Sequence, residues 1–149
     1  MIRKIRKEDK QIYMTLAEEF YHTDAVLHSI PISHFENTFQ EMLRSSRYAE
    51  GYLLEYDGEA AGYVLLAKTF SQEAGGMVAW IEEIYVRPQF QGKGLGQEFF
   101  RYYEKRNAEG ISRIRLEVEA ENERAVSLYR RLGFEPLAYA QMVKELQDK

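Results

Sequence analysis

The sequence contains no cysteine, and this absence excludes several kinds of chemistry at once. Without a thiol there can be no disulfide, no zinc–thiolate site and no cysteine nucleophile. A chain without thiols is also compatible with a reducing compartment. The 3 histidines are scattered along the chain without the spacing of a ligand set, so we predict no metal site.

Long apolar runs and an excess of basic residues are missing as well. No stretch approaches the roughly 20 apolar residues that cross a membrane, and the charged N-terminal segment lacks the apolar core of a signal peptide. The 24 acidic residues outnumber the 20 lysines and arginines, which gives a formal net charge of -4. We therefore expect a cytoplasmic protein with neither a membrane nor a nucleic-acid partner, and a weak preference for cationic partners.

The 149 residues fit one domain, residues 1–149, which is long enough to bury its own core. The spacing of apolar residues predicts the order β-α-α-β-β-β-α-β-α-β-β. Strand–helix–strand units late in the chain indicate an α/β layer, and an early hairpin turn at Asp57-Gly58 indicates antiparallel pairing. We predict an α/β (α+β) fold with a mixed central sheet of about six to seven strands and about four helices. The third helix is predicted to run from 92 to about 108, and the last two strands are predicted at 134–137 and 140–146.

The most informative segment is a glycine-rich turn between a strand and a helix. The predicted strand covers 77–86, and Gly92, Gly94 and Gly96 follow it. Unpaired N–H groups at a helix N-terminus carry partial positive charge, and glycines let the backbone approach an anion closely. A tight turn alone needs about one glycine, and further glycines lower helix stability. The pattern therefore favours a pyrophosphate site, with Lys93 adding charge, over a purely structural turn.

Two motifs carry a specific resemblance. Residues 91–96 read Gln-Gly-Lys-Gly-Leu-Gly, which resembles the GNAT signature Gln/Arg-x-x-Gly-x-Gly/Ala. Residues 122–134 resemble the Asn-x-x-Ala-x-x-Leu-Tyr-x-x-x-Gly-Phe block of the same family. On these motifs the chain is identified as a member of the GNAT superfamily of N-acetyltransferases, with the resemblance covering about residues 80–137.

The resemblance implies a GNAT-type fold and a transferase that moves the acetyl group of acetyl-CoA to a primary amine. The acceptor would be a small molecule or a protein, and the amine would attack the thioester directly. An acyl-CoA-binding regulatory module without turnover is the alternative, and a homodimer is compatible with either. The family assigns donor binding to Ile84, Tyr85, Val86, Gln91, Gly92, Lys93, Gly94, Leu95, Gly96, Gln97, Asn122 and Tyr129.

Tyr129 also matches the tyrosine that, in this family, protonates the departing thiolate. Without the motif, its spacing from Ala125 and Leu128 would indicate a core residue instead. Asn122 is equally explained as a helix cap. The role of an acid for Tyr129 therefore rests on the resemblance.

Three glutamates are candidates for the general base, in the order Glu82, Glu117 and Glu83. Glu82 and Glu83 resemble acidic pairs in GNAT enzymes that act on polyamines, and Glu117 resembles the base of enzymes that acetylate protein N-termini. Alternation along a strand predicts that Glu82 and Glu83 point to opposite faces. The alternatives are a charge paired with Arg113 or Arg115, or a chain of water molecules in place of a base.

The resemblance places the acceptor near the first two helices and the loops beside them. The candidates in this region are Tyr21, His22, Asp24 and His28, which could line a polar pocket. An ordinary surface loop is the alternative interpretation for each of them.

Overall fold

A mixed five-stranded sheet forms the centre of the first part of the chain. The computed structural model describes residues 1–106 and 110–147, and it divides into a unit that ends at Glu117 and a unit that begins at Val118. The strands are β1 (Ile2–Lys4), β2 (Ala49–Tyr56), β3 (Glu59–Ser71), β4 (Gly76–Val86) and β5 (Ile111–Leu116). They lie in the order β1-β2-β3-β4-β5, and only β4 and β5 are parallel.

Four α-helices occur in the described residues, as predicted. They are α1 (Lys10–Tyr21), α2 (Ile32–Arg44), α3 (Leu95–Arg106) and α4 (Glu123–Arg131). The third helix begins at Leu95 and not at 92 as predicted, because Gly92 and Gly94 have positive φ, and its predicted end near residue 108 lies outside the described residues. The predicted hairpin is confirmed, since Asp57 and Gly58 connect β2 to β3 with φ of 50° and 79°.

Helices cover both faces of the sheet in the first unit. On one face, Tyr13 and Leu16 of α1 and Phe35 of α2 pack in a buried cluster with Leu53 and Tyr63. Apolar positions three and four apart on α1 produce this buried stripe. Each fully buried leucine of such a cluster stabilises the fold by about 1.5–3 kcal/mol.

The opposite face is covered by α3. Tyr52 of β2 makes edge contacts with the rings of Phe99, Tyr102 and Tyr103. Phe99 and Tyr103 stack on each other one helical turn apart. The sheet is therefore the middle layer between α1 and α2 on one side and α3 on the other.

Strand β4 contains a β-bulge at Glu82. Leu65 of β3 lies opposite Glu83, whereas the next residue, Leu66, lies opposite Ile81. Glu82 is therefore an extra residue with no partner on β3. A bulge of this kind bends a strand and changes the direction of its side chains.

The parallel pairing of β4 with β5 ends beside this bulge. The last pair joins Ile81 to Leu116, while β4 continues to Val86. Beyond Ile81, β4 is paired on its β3 side, and its other edge has no strand partner among the described residues. The two parallel strands therefore separate at the level of Glu82.

The prediction of six to seven strands is wrong, because the sheet has five. The segments 134–137 and 140–146 form no strand among the described residues. Pro136 removes a backbone donor from the first segment, and the two residues between them, Ala138 and Tyr139, do not favour a tight hairpin turn. An isolated two-stranded hairpin is also marginally stable in water.

Candidate active site

The glycine-rich turn is built from two residues in the left-handed backbone region. Gly92 and Gly94 both have φ of 77°, and an added Cβ at either position would meet no atom within 4 Å. Backbone conformation therefore requires glycine here, and the open space leaves the peptide groups accessible. The Gly94 carbonyl accepts from the Glu98 N–H at 3.0 Å, so Gly94 caps α3. The following N–H groups belong to the first turn of the helix and have no intrahelical acceptor.

Two side chains of the turn region contact the ends of neighbouring strands. The Gln91 Nε2 donates to the Val86 carbonyl at 3.1 Å. The Lys93 Nζ lies 5.8 Å from the centroid of the Tyr56 ring, a cation–π distance. A positive charge is therefore held close to the turn that the sequence predicts as an anion site.

Three glutamates are associated with the point where β4 and β5 separate. Glu82 is the bulged residue, Glu83 follows it, and Glu117 directly follows the end of β5. Glu82 is exposed to solvent, yet protein atoms around its carboxyl partly desolvate it. This desolvation raises the pKa of Glu82, and the negative charges of Glu83 and Glu117 raise it further.

The bulge removes the basis for the predicted opposite orientation of Glu82 and Glu83, which stays a prediction. Strict alternation requires regular pairing, which the extra residue interrupts. Burial raises the pKa of Tyr21, and the charges of Glu83 and Glu82 both add to that shift. The charges of both carboxylates therefore raise the pKa of the same hydroxyl group, that of Tyr21 at the end of α1.

Glu83 is held by two tyrosine hydroxyl groups. Tyr21 donates to its Oε2 at 2.5 Å, and Tyr63 of β3 donates to its Oε1 at 2.6 Å. Burial, followed by the charge of Glu83, raises the pKa of Tyr63, so both phenols remain protonated donors at neutral pH. Each carboxylate oxygen of Glu83 thus has a fixed donor, whereas Glu82 retains solvent exposure.

The two arginines considered as alternative partners make other contacts. Arg113 donates to Glu73 at 2.9 Å. The Arg115 guanidinium carbon lies 3.8 Å from the centroid of the Trp80 ring. Both charges therefore have another partner in the structure.

The four predicted acceptor residues are not equivalent. Tyr21 is half-buried and contacts Glu83, and its ring lies edge-on to Phe35 of α2. His22, Asp24 and His28 are exposed at the end of α1 and in the segment that leads to α2. The structure thus joins Tyr21 to the glutamate group, and the other three remain predictions.

Sequence reasoning did not identify Tyr63 or the contact between Glu19 and Arg87. Arg87, the residue after β4, bonds both carboxylate oxygens of Glu19 in α1, at 3.0 and 2.9 Å. Partners 68 positions apart leave no local pattern. Tyr63 carried only the weak signal of a tyrosine within an apolar strand.

The second unit holds Asn122 and Tyr129. The Asn122 Oδ1 accepts from the Ala125 N–H at 3.2 Å, which confirms the predicted helix cap. Tyr129 is half-buried, its ring lies 5.8 Å from that of Phe134, and burial raises the pKa of its hydroxyl. A raised pKa keeps this phenol protonated at neutral pH, as a proton donor requires.

A model of the acetyltransferase (GNAT) family matches residues 10–134. This chain belongs to the GNAT family. The predicted family and the predicted enzyme class, an N-acetyltransferase, are therefore confirmed.

Relatives of this GNAT protein have several kinds of acceptor in their names. The chain is 29% identical over 150 residues to thialysine N-epsilon-acetyltransferase of Mus musculus, which covers 91% of this chain and 84% of that protein. The complex of the aminoglycoside acetyltransferase AAC(6')-Iy with the bisubstrate analogue CoA-S-monomethyl-acetylneamine has a TM-score of 0.79 at 17% identity, covering 97% of each chain.

A second solved structure of similar fold is named for a protein acceptor. The ribosomal-protein-alanine N-acetyltransferase of Brucella melitensis biovar Abortus 2308 has a TM-score of 0.75 at 18% identity, covering 98% of this chain and 99% of that one. The two solved structures confirm the mixed α/β fold of this GNAT protein. No helix in 1–106 or 110–147 combines the length and the apolar character of a membrane span.

Proposed function

We propose that this GNAT protein transfers the acetyl group of acetyl-CoA to the primary amine of a small cationic acceptor. The observation that carries the proposal is the group of Glu82, Glu83 and Glu117 where β4 separates from β5. Glu82 and Glu83 of this group lie on β4, and residues 87–91 connect that strand to the glycine-rich turn. Negative charge and a donor site thus belong to one continuous segment of chain.

The residues of this segment fit the donor. Open space at Gly92 and Gly94 and the free N–H groups at the start of α3 suit a pyrophosphate. The edge of β4 from Glu82 to Val86, which pairs with no strand in the described part of the chain, suits an extended chain that carries amide groups, as the pantetheine arm does. Bound acetyl-CoA would supply an acetyl group activated as a thioester.

Glu82 is the base in this proposal. An ammonium group must lose a proton before its nitrogen can attack a carbonyl carbon, and a carboxylate with a raised pKa accepts that proton more readily. Solvent exposure allows Glu82 to take the proton directly or through a water molecule. Glu83, with both oxygens already bonded to tyrosines, keeps a fixed negative charge that attracts the cationic acceptor.

Tyr129 is proposed to give the leaving thiolate a proton from its hydroxyl oxygen. The support is its match to the family motif and the raised pKa of a half-buried phenol. Asn122 uses its side-chain oxygen to cap α4. Its amide N–H₂ is therefore the group that would bind acetyl-CoA.

The first test is a thermal-shift titration with acetyl-CoA, with ATP and NAD as controls. Ligand at about one hundred times its dissociation constant adds about 2.7 kcal/mol to the free energy of unfolding. For a domain of this size, the melting temperature should rise by roughly 5–10 °C. No rise with acetyl-CoA, or an equal rise with ATP, would refute the donor assignment.

The acceptor class is tested by release of free CoA. Thialysine, neamine and a peptide with a free N-terminal alanine represent the acceptors named for the three relatives. The carboxylate group predicts turnover with thialysine or neamine. Turnover with the peptide alone would replace the small cationic acceptor by a protein N-terminus.

A further inference from the structure

Arg87 spans from the end of β4 to helix α1. Its Nε donates to Glu19 Oε1 at 3.0 Å, and its Nη2 donates to Glu19 Oε2 at 2.9 Å. Its third group, Nη1, donates to the Ala60 carbonyl at the start of β3 at 3.2 Å. The guanidinium thus joins three elements in a fixed plane.

The same helix end meets β4 at two further positions. The Tyr85 hydroxyl donates to Glu19 Oε1 at 3.1 Å, and Tyr21 donates to Glu83 at 2.5 Å. Glu83 and Tyr85 lie two residues apart on β4, and Arg87 continues this spacing directly after the strand, so all these contacts are made on one face. The last turn of α1 is therefore attached to β4 along this face.

The Glu19–Arg87 pair fixes the relative orientation of its two side chains and contributes little to stability. Its side chains are 35% and 21% exposed, and partly exposed ion pairs contribute little to the free energy of unfolding. The hydrogen bond from Arg87 lowers the pKa of Glu19, so the carboxylate is ionised at neutral pH. Two parallel N–H to oxygen bonds fix the angle between partners as well as their distance.

We propose that Glu19 and Arg87 are positioning residues that set the distance of Tyr21, and thus of the bound acceptor, from β4. The inference rests on the proposed function, because it takes β4 as the donor strand and the end of α1 as the acceptor wall. Arg87 is followed by residues 88–91, which lead into the glycine-rich turn. A basic residue this close to a phosphate site would be expected to bind phosphate. Its guanidinium is instead bonded to Glu19 and Ala60. The pair therefore affects the position of the bound acceptor and leaves the affinity for acetyl-CoA unchanged.

The kinetic test uses Glu19→Gln and Arg87→Lys. Gln keeps the shape of the side chain without its charge, and Lys keeps the charge without the planar fork. Each variant should raise the KM for thialysine or neamine about tenfold and change the KM for acetyl-CoA less than about twofold. The double variant Glu19→Arg with Arg87→Glu, which restores an opposite-charge pair, should recover part of the loss.

Glu41→Gln is a matched control. Arg44 binds Glu41 through two similar bonds, at 3.2 and 2.6 Å, but both residues of this pair lie on α2. This variant should leave both KM values unchanged. A rise in the KM for acetyl-CoA in Arg87→Lys would assign Arg87 to the donor and overturn the proposal, as would unchanged kinetics in Glu19→Gln.

Hydrogen exchange provides a readout that needs no acceptor. In Glu19→Gln, amide protons in the last turns of α1 should exchange about tenfold faster, and those of α2 should not change. Equal exchange in Glu19→Gln and the unsubstituted protein would overturn the inference. Absence of an acetyl-CoA shift in the unsubstituted protein would instead overturn the proposed function, so the two failures are distinguishable.

Discussion

At the scale of single residues, the pKa of Glu82 links function to stability. Its folded-state pKa is raised, first by desolvation and then by Glu83 and Glu117. A raised pKa in an acid means that the folded state holds the proton more tightly than the unfolded state does. The favourable contribution is fully present below the unfolded pKa, about 4.3, and is lost as the pH rises through the folded value. At neutral pH the charge on Glu82 therefore opposes folding.

Glu82→Gln should consequently be less active and more stable. Loss of a general base lowers kcat/KM by about 100-fold or more. The melting temperature at pH 7 should rise slightly, and the difference from the unsubstituted protein should vanish below about pH 4. The measurements are CoA release and thermal melting across pH.

Glu117→Gln serves as the comparison for Glu82. It removes one of the like charges that raise the pKa of Glu82, so the acidic limb of the kcat/KM profile should move to lower pH. The maximal rate should change little. If Glu117→Gln lost activity and Glu82→Gln kept it, the base would be Glu117.

Tyr129→Phe tests the proposed proton donor. The ring and its contact with Phe134 are kept, so the free energy of unfolding should change by less than about 1 kcal/mol. The value of kcat should fall by about 100-fold, with the KM for acetyl-CoA nearly unchanged. Full turnover by this variant across pH would show that Tyr129 is not the acid.

At the scale of elements, the glycine-rich turn offers a well-matched comparison. Gly94 and Gly58 have nearly equal φ, 77° and 79°, and neither has an atom within 4 Å of an added Cβ. Gly94→Ala and Gly58→Ala should each cost about 1–2 kcal/mol of folding free energy through backbone strain. Only Gly94→Ala should weaken acetyl-CoA binding, by about tenfold or more, in calorimetric titration. Equal affinity in both variants would argue against a pyrophosphate site at the turn.

The sequence predicts the elements whose signals are local. The spacing of Leu16 and Phe20 marks α1, Asp57-Gly58 marks the β2–β3 turn, and the glycines mark the start of α3. Asn122 is recognisable as a cap because its side-chain oxygen and the N–H group that donates to it, that of Ala125, lie within one turn. Each of these features depends on residues close together in the chain.

Features that depend on pairing between distant segments were not predictable. The bulge at Glu82 follows from the register of β3 against β4, and a single strand shows only its own alternation. The bonds from Tyr21 and Tyr63 to Glu83 join residues 62 and 20 positions apart. The predicted final hairpin shows the converse error, because apolar residues at strand-like spacing do not form a strand without a partner.

At the scale of the whole molecule, a buried charge joins the strands of the first unit. Glu50 of β2 is only 5% exposed and accepts hydrogen bonds from Tyr52 and from Lys68 of β3. Lys4 of β1 lies 3.0 Å from the same carboxylate. The cluster connects three strands on the face that α3 covers.

Glu50→Gln should therefore lower the stability of the whole unit. Removing one partner leaves Lys68, which is largely buried, without its counter-charge, and such changes cost about 3–5 kcal/mol. Glu41→Gln, at an exposed pair within α2, should cost less than about 0.5 kcal/mol. Urea denaturation of both variants measures the difference, and similar values would show that the buried cluster is not needed for stability.

Tyr103 should respond in the opposite direction. Its hydroxyl is buried without a hydrogen-bond partner in the described part of the chain. Burial, followed by the nearby charge of Glu50, raises the pKa of Tyr103 to about 12. Tyr103→Phe removes an unsatisfied polar group, so the free energy of unfolding should stay equal or rise by up to about 1 kcal/mol. A clear loss of stability in urea would reveal a water-mediated bond to the hydroxyl.

The bulge in β4 adds one residue to the two-residue alternation of side chains between the faces of the strand. Ile81 and Ile84 face the same layer because Glu82 adds one position between them, opposite the regularly spaced Leu66 and Val64. Deleting Glu82 would bring the strand back into register with β3 and leave the apolar side chains on both faces where they are. Deleting Ile84 instead would move Glu83 opposite Val64, away from the face on which it meets Tyr63. Glu82 is thus the position in β4 where the chain can be shortened with the packing preserved, and the length that this residue adds serves the chemistry of the strand.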